Sequence, residues 1–277
     1  MAMKAGRRSR GARGCCLALL ALLLAAAFAR PARAEDAPNL YQATAIVTGT
    51  DMRSRPSGFA QCLREVLVKL SGEPRLRNDP RVLDLAAHAD AFVTSFDYVD
   101  LMAGIPRHDD QGTYDRPHSL SVRFDPARID SALAGLGEHP WRGERPVIVP
   151  VLFVHGPAGA YLLSAEVKAG AEQRQSFAVM ADEYAMRVRV PTAAELAAWG
   201  VTGEGFPQPH AASAPQEALV AGTLAFEEAL PGWVGSWRMR WRGTDYEWGI
   251  RGVNYDEAFR DIVRGVVRVA SGHGKPD

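Results

Sequence analysis

Two alternating runs near the C-terminus, Trp237-Arg238-Met239-Arg240-Trp241-Arg242 and Tyr246-Glu247-Trp248-Gly249-Ile250-Arg251, constrain this chain more than any other segment. Side chains in a strand alternate between faces, so the aromatic residues share one side and the charged residues the other. A tight turn at Gly243-Thr244 pairs Trp241 with Tyr246, Met239 with Trp248, Arg242 with Asp245 and Arg240 with Glu247. A slip of one residue would turn the aromatic row to water, which fixes the register. An aromatic sheet face needs a cover, and the next segment supplies one. Asn254-Tyr255-Asp256-Glu257 caps a helix whose Phe259, Ile262, Val263, Val266 and Ala270 meet the sheet, with Arg260, Arg264 and Arg268 expected in solvent.

The rest of the chain reads as short strands and amphipathic helices. Residues 40–48 are β-prone and suit an edge or first strand. Phe59, Cys62, Leu63, Val66, Leu67 and Leu70 follow the i, i+3, i+4, i+7 spacing of a one-sided helix, with Ser57 as its expected cap and Gly72 as its end. Lys69 falls off that stripe, so its removal is expected to be near neutral. Asn78-Asp79-Pro80 opens a second helix, residues 96–102 and 119–124 form a hairpin around a long polar loop, and Asp125-Pro126 opens a third helix ending at Gly137. Residues 141–146 connect to a continuously apolar strand at 147–154, of the kind buried on both faces. Residues 161–163 and 184–190 read as strands, and Thr192-Ala193-Ala194-Glu195 is a capping box. The Gly, Pro, Ala and Ser-rich residues 202–215 read as a mobile loop, and 219–226 as a further strand.

Composition matters chiefly through its asymmetry. The chain holds 32 Lys and Arg against 32 Asp and Glu, yet Lys4, Arg7, Arg8, Arg10, Arg13, Arg30 and Arg33 fall in the first 34 residues, which carry no acid. The basic run is followed by an apolar stretch at 15–28 and then Ala32-Arg33-Ala34, the form of a cleavable signal peptide. As a helix that stretch reaches about 21 Å, short of the roughly 30 Å hydrocarbon core. Cleavage after Ala34 leaves 243 residues with 25 basic and 32 acidic side chains, a net charge of 25 − 32 = −7. An acidic exported chain lacks the electrostatic basis for uniform phosphate binding, so no nucleic-acid partner is expected. No later segment has 18 consecutive apolar residues, so no membrane span is expected after signal removal. Of three cysteines only Cys62 remains, on the buried stripe, where it acts as a small core hydrophobe and not as a nucleophile.

Several constellations have residue types that a site would need. His108, Asp109, Asp110, Asp115 and His118 share one polar loop but lack a metal-ligand spacing, and ordering a hairpin tip costs more entropy than a preformed site. Trp233, Trp237, Trp241 and Trp248 interleave with arginines like a stacking platform, but alternation sends the two sets to opposite faces, which favours core packing over an aromatic groove. Glu227 with Glu228, and Asp97 with Asp100, are isolated carboxylates, and a hydrolase would need to assemble such acids in space. No nucleophile elbow, His-Glu-x-x-His helix, phosphate-cradling glycine loop or Cys-x-x-Cys pair occurs. No catalytic, cofactor-binding or metal residue is assigned, and no cofactor is expected.

Leu-Tyr-Gln-Ala at 40–43, Val-Leu-Val-Lys-Leu-Ser-Gly at 66–72, Asn-Asp-Pro-Arg-Val at 78–82, Val-Arg-Phe-Asp-Pro-Ala-Arg-Ile-Asp at 122–130 and Trp141 through Arg145-Pro146-Val147 occur in order. Across residues 40–154 the chain resembles the bacterial envelope proteins grouped as domain of unknown function 2066. Blocks at 221–226 and 232–237 resemble the C-terminal half of related proteins. The resemblance implies an exported proteobacterial protein and carries over no catalytic residue.

The expected architecture is α+β: a signal peptide at 1–34, an N-terminal unit at 35–140 and a C-terminal unit at 141–277, each a mostly antiparallel sheet covered by amphipathic helices. The expected role is a non-enzymatic binding or scaffolding component of the cell envelope, located in the periplasm and engaging an envelope protein. The alternatives are a hydrolase with a spatially assembled acid pair, or a periplasmic small-ligand binder.

Overall fold

The structure is a computed structural model that describes residues 39–104, 116–201, 214–229 and 231–276. The signal segment, most of the loop carrying His108, Asp109, Asp110 and Asp115, and most of the 202–215 loop lie outside the described residues. The first half runs β1 (Gln42–Thr48), α1 (Arg55–Ser71), α2 (Pro80–Ala86), β2 (Val93–Asp100), β3 (Pro117–Phe124) and α3 (Pro126–Leu136). The second runs β4 (Val147–Gly156), β5 (Gly159–Leu162), α4 (Ala171–Asp182), β6 (Arg187–Val188), α5 (Ala193–Ala198), β7 (Glu217–Glu227), β8 (Gly232–Trp241), β9 (Thr244–Val253) and α6 (Tyr255–Ser271). The class is α+β. One sheet is antiparallel in the order β1-β3-β2; the other is mixed, β5-β4-β7-β8-β9, with β4 and β7 parallel and β6 beside the start of β4.

Local signals set most of the boundaries. Asp79 and Asp125 accept hydrogen bonds from the Arg81 and Arg128 amides at 2.8 and 3.0 Å, each with proline in the first helical turn, where a missing N–H is harmless. Thr192 and Glu195 close the expected capping box, and Asn254 caps α6 through the Glu257 amide at 2.8 Å. α1 differs: it starts three residues before Gly58, with Ser54 at its cap position, and Ser57 lies inside the helix bonding back to the Ser54 carbonyl. The deciding signal is Pro56 in its first turn. α4 has no counterpart in the sequence reading, because only Phe177, Met180 and Ala181 of its residues are buried. The strand expected at 184–190 is reduced to Arg187–Val188.

The β8–β9 hairpin keeps its faces but not its expected partners. Trp241 lies opposite Thr244, Arg240 opposite Asp245, Met239 opposite Tyr246, Arg238 opposite Glu247 and Trp237 opposite Trp248, a shift of two residues. The turn residues are Arg242 (φ 49°) and Gly243 (φ 85°), two left-handed positions as in a type I′ turn. Placing the loop at Gly243-Thr244 would force a β-branched residue into that region. The charges still match: Arg240–Asp245 pairs at 2.7 Å and Arg238–Glu247 at 2.9 Å.

α1 lies under the first sheet and α6 under the second, and their apolar faces belong to one continuous core. That core joins Leu63, Val66, Leu67, Leu120, Val122 and Ile129 to Ile148, Leu152, Phe177, Trp237, Phe259 and Ile262. Each such side chain contributes roughly 1.5–3 kcal/mol on burial. A smaller cluster of Val151, Leu196, Leu219 and Ala221 covers the other side of β4 and β7, so β4 is buried on both faces. Gly265 of α6 sits so close to the Trp248 indole that a Cβ there would come within 2.5 Å of the ring.

Candidate functional site

Polar groups gather where the turn after α1 meets the ends of α4 and α6. Arg268 corrects the expectation of an outward-facing arginine: its side chain is 5 % exposed and its guanidinium holds both carboxylate oxygens of Glu73, 195 positions away. Helical periodicity gave the side of α6 but not the chain that folds over it. Arg260 makes two bonds to Glu183, at 3.2 and 3.3 Å, and another to Glu257, while Arg264 reaches Glu257 at 2.7 Å. Neither arginine is free in solvent. Asp261 accepts from the Trp237 indole at 3.0 Å, and its backbone carbonyl accepts from Trp248 at 3.3 Å.

Several of these groups have displaced proton affinities. Burial raises the Glu65 carboxyl, with the Gln61 hydrogen bond and Arg77 opposing it, and burial raises Asp261 against the pull of Trp237 and Arg264. Burial lowers Lys69, which donates to the Gln42 carbonyl at 2.9 Å. Lys69, which lies off the buried stripe of α1, is thus part-buried and ties α1 to β1. Burial pushes the Cys62 thiol up to about 12 and holds Arg145 down at about 10. Arg145 donates to the Lys69 and Tyr184 carbonyls at 2.7 and 3.1 Å and lies 4.2 Å over the Trp141 ring. Displaced affinities attend catalytic centres, but ion networks produce them too. These charges answer one another across α1, α4 and α6, which is the arrangement of a seam between elements.

A second cluster has the order of a nucleophile, a base and its orienter. Ser271 Oγ lies 2.7 Å from His273 Nδ1, and His273 Nε2 lies 2.9 Å from Glu138 Oε2. Its surroundings argue against acyl chemistry. Ser271 Oγ is also 3.0 Å from the Gly72 carbonyl, and the amides of Gly72, Gly272 and His273 are all engaged in helix-end bonds. Among the described residues these neighbours leave no N–H pair to hold an oxyanion. The cluster fastens the end of α6 to the turn after α1. Gly72 is required there twice over, by φ 74° and by a Cβ that would fall 2.5 Å from that of Ser271.

Of the residues considered from sequence, His118 is in β3, with Nδ1 2.8 Å from the Arg116 carbonyl. Among the described residues no three His, Cys, Asp or Glu gather as metal ligands. Trp237 and Trp248 are buried, and Trp233 and Trp241 partly so. Asp97 and Asp100 are on β2 of the first sheet, with Asp100 3.6 Å from Arg116, while Glu227 and Glu228 are exposed at the end of β7 in the second. The structure does not join these acids into a pair.

Among the described residues β2 is mostly exposed. It is an edge strand, and its outer-face neighbours form a cross-strand row of Ile46, Ser119 and Val99, with Ile46 70 % and Val99 58 % exposed. Leu101 is half exposed beside them. The Leu101 amide bonds inward to Pro117, so by antiparallel alternation the backbone groups of Phe96 and Tyr98 point away from the sheet, while the Asp100 carbonyl accepts from the Ala103 amide at 3.3 Å. Thr94, Ser95, Phe96 and Asp97 are all exposed.

Residues 34–142 match the family model of a domain of unknown function, DUF8605. This overturns the resemblance to domain of unknown function 2066. The blocks that suggested it are element boundaries: a strand start at 40–43, a glycine-terminated helix at 66–72, and Asp-Pro helix starts at 79–80 and 125–126. Such signals recur in unrelated α+β chains because they serve local geometry. No curated protein and no solved structure matches the chain. Among the described residues no helix is long and apolar enough to cross a membrane.

Proposed function

We propose that this chain is an exported, non-enzymatic component of the cell envelope, working in the periplasm, that binds a protein partner by adding an extended partner segment to the edge of β2. The observation that carries the reading is that edge: an eight-residue strand with outward-facing backbone groups beside an exposed apolar row. Natural edges are usually blunted by charge, bulges or a covering element, because unpaired N–H and C=O groups template further pairing. β2 carries Asp97 and Asp100, an irregularity between Val93 and Ser95, and the Arg55 guanidinium 4.7 Å over Phe96, but no described strand pairs its outer edge. Strand addition satisfies those groups, and alternate side chains supply selectivity. The basic, apolar and small-residue order of residues 1–34 supports export.

A photo-crosslinking residue at Thr94 or Val99, expressed in intact cells, tests this. The expected result is a discrete adduct of the same mass from both positions and none from Glu247 on β9. No adduct from either β2 position contradicts the reading. Residues 1–34 fused to a reporter active only outside the cytoplasm should give activity, and an inactive fusion contradicts export.

A further inference from the structure

We infer that the chain has a further binding site, for a neutral, hydroxyl-rich ligand of the saccharide class, in the cavity beside the β8–β9 turn. The cavity holds about 360 Å³, and its walls include Glu144 from the segment entering β4, Gln216 and Glu217 at the start of β7, and Arg240, Trp241 and Arg242 from the hairpin. That size is at the lower end of small-molecule sites. Neither the open edge of β2 nor the seam between α1, α4 and α6 contributes to it.

Its polar groups fall into two kinds. Glu217 is held by Arg189 at 2.8 Å, and Arg240 by two 2.7 Å bonds to Asp245, so both are oriented in advance. The side chains of Glu144 and Gln216 have no hydrogen-bond or ionic partner among the described residues. Arg242 lies 5.6 Å over the Trp241 ring. Trp237 and Trp248 both spend their indole N–H groups on Asp261, whereas the partly buried Trp241 has no such acceptor among the described residues.

The chemistry of this set narrows the ligand. Two carboxylates and two guanidinium groups sum to zero charge, so a strongly anionic or cationic ligand gains no preference there. Carboxylate, amide and guanidinium groups each present two hydrogen-bonding atoms in one plane, a match for neighbouring hydroxyls that both donate and accept. Trp241, with Arg242 over its ring, adds an apolar ring edge and an indole N–H donor. A neutral polyol with one apolar face uses every one of these features.

The full exported chain should be titrated with glucose, galactose, N-acetylglucosamine and maltose by saturation-transfer NMR and calorimetry, up to about 10 mM, ten times a 1 mM Kd. At least one should bind saturably. The exposed double variant Glu144→Gln with Gln216→Ala should weaken that binding at least tenfold without moving the melting temperature, which separates loss of the site from loss of the fold. Absence of saturable binding across the panel overturns the inference. So does binding indifferent to the double variant, or binding confined to phosphorylated sugars and nucleotides.

Discussion

Replacing Arg268 with methionine tests the seam between the two halves where it is most buried. The Arg268 and Glu73 side chains are 5 % and 10 % exposed, and the guanidinium also donates to the His273 carbonyl at 3.0 Å and the Lys275 carbonyl at 3.3 Å. Removing one partner strands a buried carboxylate, which costs about 3–5 kcal/mol, and for a domain of this size each kcal/mol is worth about 2–4 °C in Tm. Taking about 4 kcal/mol, Arg268→Met should lower Tm by roughly 8–16 °C and shift the urea midpoint, followed by tryptophan fluorescence, without changing its slope. Glu73→Gln keeps an acceptor for the Arg75 amide, 2.9 Å away, and so isolates the charge. The double variant removes both buried charges and should be more stable than the sum of the single losses by about 2 kcal/mol. Breaking the exposed Arg240–Asp245 pair with Asp245→Asn should leave the midpoint unmoved. A loss below about 1 kcal/mol for Arg268→Met, or strict additivity, would refute a buried, coupled pair.

Two further outcomes follow from packing and protonation. Burial raises the Glu65 carboxyl, so the folded state binds its proton more tightly than the unfolded chain; the resulting penalty is absent below the unfolded pKa and grows as pH rises through the folded one. Glu65→Gln should therefore raise Tm at pH 7.5 and leave it nearly unchanged near pH 4, and a loss at pH 7.5 would contradict a desolvated carboxylate. Gly265→Ala should cost about 1–3 kcal/mol and perturb the near-ultraviolet circular dichroism of Trp248, because the added carbon meets the indole at 2.5 Å; unchanged spectra and stability would mean that α6 does not pack there.

What could be read from the sequence was what is local. Asp79-Pro80, Asp125-Pro126 and Thr192 with Glu195 start helices through bonds within a few residues, and Gly72 and Gly137 end them in the left-handed region, so each carries its geometry in its own segment. The unbroken apolar run of β4 likewise announced burial on both faces. What escaped depended on partners far along the chain. Arg268 keeps helical spacing with Arg260 and Arg264, and only the arrival of Glu73 buries it. Ser271, His273 and Glu138 meet across more than a hundred residues, with no spacing to betray them. The edge position of β2 follows from strand order, which hydrophobic pattern does not rank. The hairpin error is different in kind: alternation fixed the faces, while the choice of turn residues, two positions apart in register, belonged to backbone conformation at Arg242 and Gly243.

The docking of α6 sets a condition on the order of events during folding. Phe259, Ile262 and Val263 complete a core that begins with Leu63 and Val66, and the last turn of α6 closes over the turn after α1 through Ser271 and Arg268. A core sealed by a helix so far along the chain stays open-sided until that helix is made. The first half of the chain can gather strands and helices early, but native closure waits for residues about two hundred positions downstream, so the core stays incomplete until α6 has been made.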